Sequence, residues 1–330
     1  MAITSIEDLK VHIPFLNEYL PVLATERSAF VRSGICATDP NIAALVQAAG
    51  PRGDRVQLPF WNDLNGDDEA MDEGASLTPQ KITAGQDVAG IIRRAKAFSS
   101  YDLAAAFSGQ KPISVIASLI ADYKVRQRQK ALFAILKGVF ADNEANDGGD
   151  LINDITEETG DAAFLDKFTI LETAQLLGDA KDKLTAVAMN SAAELALTKV
   201  SYANNAYIPA SQTPNKLPSY AGFSVIVDDA CAYDPDTGIA EIYLFGQGAF
   251  ALQDALGAEP ALETYRDELS SVSGLIERDF YIMHPRGVKW TSPQLAKSTP
   301  QNSDLEAAAS WDRVYDKKNI RLAKLVCKIK

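Results

Sequence analysis

The chain has 330 residues, 47% of them hydrophobic, and carries 32 basic against 44 acidic side chains, a net charge of −12. A chain of this length buries about three quarters of its unfolded surface without disulfide or metal staples, and a surface this acidic repels nucleic acid and anionic membrane, so any DNA contact must be local or weak. Three cysteines far apart, Cys36, Cys231 and Cys327, argue against a disulfide framework and for a reducing compartment; no apolar run of eighteen residues and no signal-peptide pattern occurs, which places the chain in the cytosol where it is made.

Residues 1 to about 50 read as an arm. Short apolar clusters (Ile13, Phe15, Leu16, Tyr19, Leu20) are broken by Pro14 and Pro21, and one helix is expected through Asn41–Ala49. Such a segment has little core of its own and must lie on something else, in the same subunit or the next. A long hairpin follows, out through Arg55–Trp61, over a turn-rich tip, and back through Lys81–Ala97. Val56, Leu58 and Phe60 alternate with Gln57, Pro59 and Trp61, the period of a half-buried strand, and Pro59 makes it an edge. A two-stranded ribbon of that length is not stable alone in water and needs a neighbour to rest on. The tip, Asp63 to Glu73, packs six carboxylates into eleven residues. It reads as a solvated acidic tip, or one that meets a basic patch on another subunit, ahead of a hard-cation site; the EF-hand spacing fails.

The next signal is a helix far longer than a compact domain needs. Ser108 and Gly109 precede Pro112, which suits a first helical turn, and Gly138 with Asp142-Asn143 closes the other end. Between them Ile116, Leu119, Ile120, Tyr123, Gln127, Ala131, Leu132, Ile135, Leu136 and Val139 recur at three- and four-residue steps, one apolar face. From about 113 to 140 the segment would reach roughly 40 Å. Its charged residues Lys124, Arg126, Arg128 and Lys130, like Arg93, Arg94 and Lys96 on the returning hairpin strand, suit either phosphate or protein contact, and in so acidic a chain protein contact is favoured.

Beyond a Gly/Asp-rich break, a second helix is expected over about Ile170–Met189, and Ser191 with Glu194 fits a capping box for a third. Then the texture becomes β: Phe223–Val227 and Ile239–Phe245 read as an antiparallel hairpin about the turn at Asp234–Gly238, with further strands at Asp279–Met283, Gly287–Thr291 and Ile320–Ile329. With parallel β-α-β alternation absent from the pattern, the class is α+β. Gly246-Gln247-Gly248-Ala249-Phe250-Ala251 has the spacing of a dinucleotide-binding turn, but its preceding strand looks antiparallel, so a tight structural bend is favoured. His12 and His284 have no partners at metal-ligand spacing and read as structural. No nucleophile elbow or phosphate loop occurs, so no catalytic residue, cofactor or metal is assigned.

An arm without a core, a projecting ribbon, one long helix and a separate lobe describe a subunit completed by its neighbours. Several strings resemble the major capsid proteins of tailed bacteriophages, which have the Hong-Kong-97-type capsid fold. They are Ser33-Gly34-Ile35, Asp39-Pro40, Leu58–Leu64, Lys81–Asp87, Phe98, Asp102-Leu103-Ala104, Ser108-Gly109, Leu136–Phe140 and Tyr243–Ala249, and the resemblance covers nearly the whole chain. It implies an N-terminal arm (1–50), an extended loop (51–98), a peripheral domain (99–164 and 276–310, with the spine helix at about 113–140) and an axial domain (165–275 and 311–330). It further implies self-assembly through pentamers and hexamers into an icosahedral head in the host bacterial cytoplasm, enclosing double-stranded DNA by weak interior contact, without enzymatic turnover or membrane. The partners implied are a separate scaffolding protein, a portal protein at one vertex and optional decoration proteins. Phe60 and Trp61 are expected to anchor the loop on the next subunit, with the seven cations named above as further intersubunit contacts. Many relatives carry a cleaved leading segment or an intersubunit lysine–asparagine link; here the capsid-like sequence begins almost at Met1, and neither cleavage nor a link such as Lys81 to Asn319 is expected. The alternatives are an encapsulin-like compartment of the same fold and a dinucleotide-dependent enzyme built on Gly246–Ala251.

Overall fold

The structure is a computed structural model describing residues 30, 33–38, 40–50, 53–62, 68, 71, 79, 81–101, 112–201, 207–210, 213, 217–255, 260–295 and 297–329, without the side chains at 41, 112–118 and 121. The arm clusters from Ile13 to Leu20, His12, most of the acidic tip and Ser108-Gly109 lie outside the described residues.

In chain order, β1 (Cys36–Ala37), α1 (Pro40–Ala49), β2 (Arg55–Trp61) and β3 (Ala84–Tyr101) precede the long helix α2 (Pro112–Asn146). Then come β4 (Ile152–Asp154), α3 (Thr169–Ala174), a 3-10 stretch (Gln175–Lys183), β5 (Leu184–Met189), α4 (Ser191–Ser201), β6 (Tyr207–Ile208), β7 (Ser219–Tyr220), β8 (Phe223–Val227), β9 (Tyr233–Asp234) and β10 (Ile239–Gly246). The chain continues through β11 (Phe250–Asp254), β12 (Leu262–Asp267), β13 (Val272–Pro285), β14 (Val288–Trp290), α5 (Asn302–Glu306), β15 (Trp311–Arg313) and β16 (Leu322–Lys328).

These strands make two large sheets. The first has the order β1-β11-β13-β3-β2, with β12 also on β13; the second has the order β4-β16-β10-β5-β8-β7-β6, with β9 on β10. The hairpin pairs as its alternation requires, Arg55 opposite Gly90 and Trp61 opposite Ala84, and β2 with its Pro59 ends the first sheet. β3 then runs on past the hairpin as far as Tyr101, pairing with β13 from Ile91 onward, so the ribbon is rooted in the sheet by its own longer strand.

α2 is longer than expected, 35 residues, or about 52 Å at 1.5 Å per residue. Gly138 does not close it. The helix continues because this glycine answers to packing: a Cβ there would overlap the Leu305 carbonyl oxygen and the Trp311 ring. Trp311 Nε1–H donates to that same carbonyl at 2.8 Å. The true end comes at Gly148 and Gly149, both at positive φ, where Gly149 N–H bonds the Asn143 carbonyl and Asn143 Oδ1 receives the Leu151 N–H. Nor is there only one apolar face: every residue from Ala131 to Leu136 is buried, so this stretch of α2 is enclosed on all sides.

Four other expectations are corrected. The helix over 170–189 stops at Ala174, the chain kinks at Gly178 (φ 61°), and Leu184–Met189 becomes a central strand between β10 and β8. Its small and β-branched residues suit a strand buried on both faces, which an apolar run alone does not distinguish from a helix. β8 and β10 are consequently not hairpin partners, since β5 lies between them; the turn at Asp234–Gly238 joins β9 to β10 instead. Parallel pairing is also present: β5, α4 and β8 form a β-α-β crossover, and β1 with β11 and β4 with β16 are parallel. The helix α4 starts where expected, but its cap is Asn190, whose Oδ1 accepts the Ala192 N–H at 2.9 Å.

Leu136→Ala should lower stability by about 2–5 kcal/mol through the cavity it leaves. Gly138→Ala should cost about 1–3 kcal/mol through overpacking. Urea unfolding of the unassembled subunit measures both, and an unchanged Gly138→Ala midpoint would contradict the close approach of Leu305.

Candidate functional site

The chemistry of this chain lies in charge clusters that tie its elements together and in the surfaces they leave over. β13 places Leu275, Glu277, Asp279 and Tyr281 on alternate positions, and all four are buried. Asp279, 4% exposed, faces α2 and receives Lys124 Nζ at 2.8 Å and both Arg128 Nε and Nη2 at 2.8 and 2.7 Å. Arg128 also reaches Asp254 on β11 at 2.5 Å and lies over the Tyr281 ring, 4.7 Å from its centroid. Burial disfavours the Arg128 charge, yet its hydrogen bonds to Asp279 and Asp254 and their charges outweigh that and raise its pKa. Glu277, 5% exposed, has a buried Oε1 without a hydrogen-bond partner. Burial first and the Asp279 charge second push its carboxyl above the ordinary range, against the pull of Lys124 and Arg128.

A second tie holds the root of the hairpin. Asp87 on β3 bonds His284 Nε2 at 2.9 Å through one oxygen and accepts the Gly287 N–H at 3.3 Å through the other. Phe60 on β2 meets Tyr315 edge to face, 4.6 Å between ring centroids, and its ring also covers Gly85, where a Cβ would collide with it. A third tie is made by the arginines of β3: Arg93 Nη2 donates to the Gly53 carbonyl, its backbone N–H to Thr299 Oγ1, and Arg94 to the Pro300 carbonyl and Asn302 Oδ1.

The nine residues singled out from sequence thus separate. Lys124, Arg128, Arg93, Arg94 and Phe60 have partners within the chain, and Arg126 is half-buried on α2. Trp61, 76% exposed, and the exposed Lys96 and Lys130 face outward. Sequence reasoning missed Asp87, Asp254, Glu277 and Asp279. Two carboxylates at i and i+2 on the apolar side of a strand were the available signal, because such a pair demands cations from whatever packs above it.

The glycine turn is not a nucleotide site. Gly248 (φ 63°) leads into the strand β11 and not into a helix, so no helix N-terminus receives a pyrophosphate. Gly246 is close to Lys183 and Arg321, and Arg321 Nη1 holds the Gln247 carbonyl at 2.6 Å while Gly248 N–H bonds the Gly34 carbonyl. The bend fastens the end of the arm to the body. All three cysteines are free and buried, and burial pushes the Cys36 and Cys327 thiols up to about 12. No helix among the described residues is long and apolar enough to cross a membrane.

No family model matches the chain. It is 39% identical over 325 residues to the major capsid protein of Bacillus phage SPP1, covering 98% of this chain and 97% of that protein. Among solved structures, the capsid of Ralstonia phage GP4 superposes with a TM-score of 0.66 at 10% identity, over 93% of this chain and 92% of that one. A Mycobacterium phage Patience chain gives 0.54 at 10% identity, over 100% and 94%. The capsid asymmetric unit of cyanophage Pam1 gives 0.54 at 11%, over 84% and 85%. These structures share the fold.

Because the folded state holds the Glu277 proton more tightly than the unfolded chain, its ionisation is a cost present above its folded pKa and relieved as pH falls through it. Glu277→Gln should therefore stabilise the unassembled subunit more at pH 7.5 than at pH 5, whereas Asp279→Asn, leaving Arg128 buried with half its partners, should cost about 3 kcal/mol or more. Urea midpoints of the two variants at both pH values check this; a Glu277→Gln effect independent of pH would contradict it.

Proposed function

The chain belongs to the major capsid proteins of tailed bacteriophages, and from that premise we propose that it assembles through pentamers and hexamers into the icosahedral head around double-stranded DNA. The observation that carries this reading is the 39% identity to a phage major capsid protein over 98% of this chain. The role is structural, and its place is the virion capsid. A closed shell repeats every subunit contact many times, so individually weak contacts suffice and long-lived particles need no single strong interface.

Within the proposed assembly the hairpin is the extended loop, α2 the spine of the peripheral domain, and the second sheet the core of the axial domain. Sheet membership favours moving two boundaries: β11, β12 and the start of β13 run in the first sheet, with the hairpin, and Ile152–Asp154 runs in the second, beside β16. Trp61, Lys96 and Lys130 are the proposed intersubunit contacts that remain outward, and Phe60 is proposed to aim Trp61 by resting on Tyr315. A scaffolding protein, a portal protein and decoration proteins are the proposed heterologous partners. An encapsulin-like compartment would differ in cargo, holding protein where a phage head holds DNA.

Expression with a scaffolding protein should give closed shells in negative-stain electron microscopy, and discrete small oligomers alone would refute the reading. Particles from phage-producing cells should contain nuclease-protected double-stranded DNA; enclosed protein without DNA would favour the compartment. Trp61→Ala should leave the unfolding free energy of the subunit, measured in urea, within about 0.5 kcal/mol, as for other exposed sites, while lowering shell yield in the same micrographs.

A further inference from the structure

A groove of about 1710 Å³ opens between α1, the hairpin root and the turn at Lys317–Asn319. It is larger than the roughly 300–1,000 Å³ of small-molecule sites, which suits a length of polypeptide. Its lining is mixed: the half-buried Leu45, Leu58 and Phe60 supply apolar surface, and four cations, among them Lys183 and Arg321, stand against three carboxylates, of which Asp179 is paired to Lys318 at 2.9 Å. His284, whose Nε2 is engaged by Asp87, lines the groove and has a buried Nδ1 without a hydrogen-bond partner.

We propose that in the unassembled subunit this groove is occupied by the N-terminal segment, residues 1–29, of the same chain. Three observations support that occupant. The described chain begins beside the groove: Phe30 is fixed in the subunit's own core against Phe133 and Phe245, and the next residues reach Gly34, whose carbonyl bonds the same bend that Arg321 of the groove wall holds. At up to about 3.5 Å per residue, the stretch from Phe30 back to Ile13 can span about 60 Å, so reach does not limit it. The composition also matches, since Ile13, Phe15, Leu16, Tyr19 and Leu20 offer apolar side chains, Pro14 and Pro21 favour an extended course, and four carboxylates (Glu7, Asp8, Glu18, Glu26) outnumber Lys10 and Arg27. Finally, tethering at Phe30 makes occupation intramolecular, with an effective concentration near the millimolar range that a second copy in dilute solution does not reach. The proposal rests on the capsid reading only for the existence of an unassembled state.

The test places a photo-crosslinking amino acid at Leu45, and separately at Leu58, in the full chain held dilute and unassembled, and identifies the linked peptide by mass spectrometry. The expected result is a link to residues 1–29 in a monomer-sized band. The full-length variant with Phe15, Leu16, Tyr19 and Leu20 all changed to Ser should lose that link and exchange the amides of Leu58 and Phe60 about tenfold faster or more. A link to the segment in a dimer-sized band assigns the groove to a second copy and overturns the proposal. So does a link to any other segment, or no link with unchanged exchange. Micrographs of the same protein after addition of scaffolding protein keep the two readings apart: shells without the intrachain link leave the capsid function standing and remove this inference.

Discussion

The enclosed stretch of α2 from Ala131 to Leu136 is the constraint on which the rest depends. Helices of a soluble protein usually bury one stripe, but here Ala131 through Leu136 and then Val139 and Phe140 are all buried, with Lys137 the exposed exception. Both sheets and the C-terminal strands must therefore close around one cylinder. The core shows this directly, because residues of α2, the second sheet, β13, β14 and β15 fall in a single contiguous cluster. Gly138 sets how near the C-terminal part can come, and Trp311 fills the space it leaves while satisfying the Leu305 carbonyl. A small residue at one position thus fixes the separation of segments more than 160 residues apart, and packing at crystal-like density gives that position little tolerance.

Charge completes what the apolar core begins. Residues 119–120 and 122–129 of α2 are only half-buried, so burial alone does not fix the angle of this stretch to the first sheet. Asp279 does, by holding Lys124 and Arg128 one helical turn apart, and Arg128 carries the tie onward to Asp254 of β11. Three elements distant in sequence are joined at one carboxylate. The Asp87–His284 pair and the Phe60–Tyr315 contact do the same at the hairpin root. The hairpin is therefore aimed by one polar and one aromatic contact, and β13 holds the continuation of β3 beyond it, from Ile91 to Tyr101.

How much of this was legible in sequence follows from the range of the interactions. The hairpin was readable because its alternation and Pro59 are local signals, and the pairing of Arg55–Trp61 with Ala84–Gly90 realises them. The existence of α2 was readable for the same reason. Its end was misjudged because Gly138 and a stop glycine look alike until the partner at Leu305 is known. Leu184–Met189 reads as helix in sequence because its five apolar residues around Thr185 carry no clear alternation, and the deciding facts are the two strands on either side. The cations of α2 and β3 were visible as charges, but their partners Asp279, Asp254 and Asn302 lie more than 120 residues away. The resemblance to phage capsid proteins supplied fold and function where local pattern could not.

The internal pairing of these cations bears on how such a subunit associates. Arg128 and Lys124 are engaged with Asp279, and Arg94 with the 300–302 segment, so an approaching copy that sought them would first have to break contacts already made. Surfaces that require no such exchange are the exposed indole of Trp61 and the ammonium groups of Lys96 and Lys130. An exposed lysine on an acidic protein contributes little by itself, about 0–1 kcal/mol per ion pair and less as salt rises. Weakness of that order is an advantage in a closed lattice, where a misplaced subunit must be able to leave before its neighbours trap it. Rigid internal ties and weak external contacts are therefore complementary: the first fix the angles at which copies meet, and the second let those angles be corrected until the shell closes.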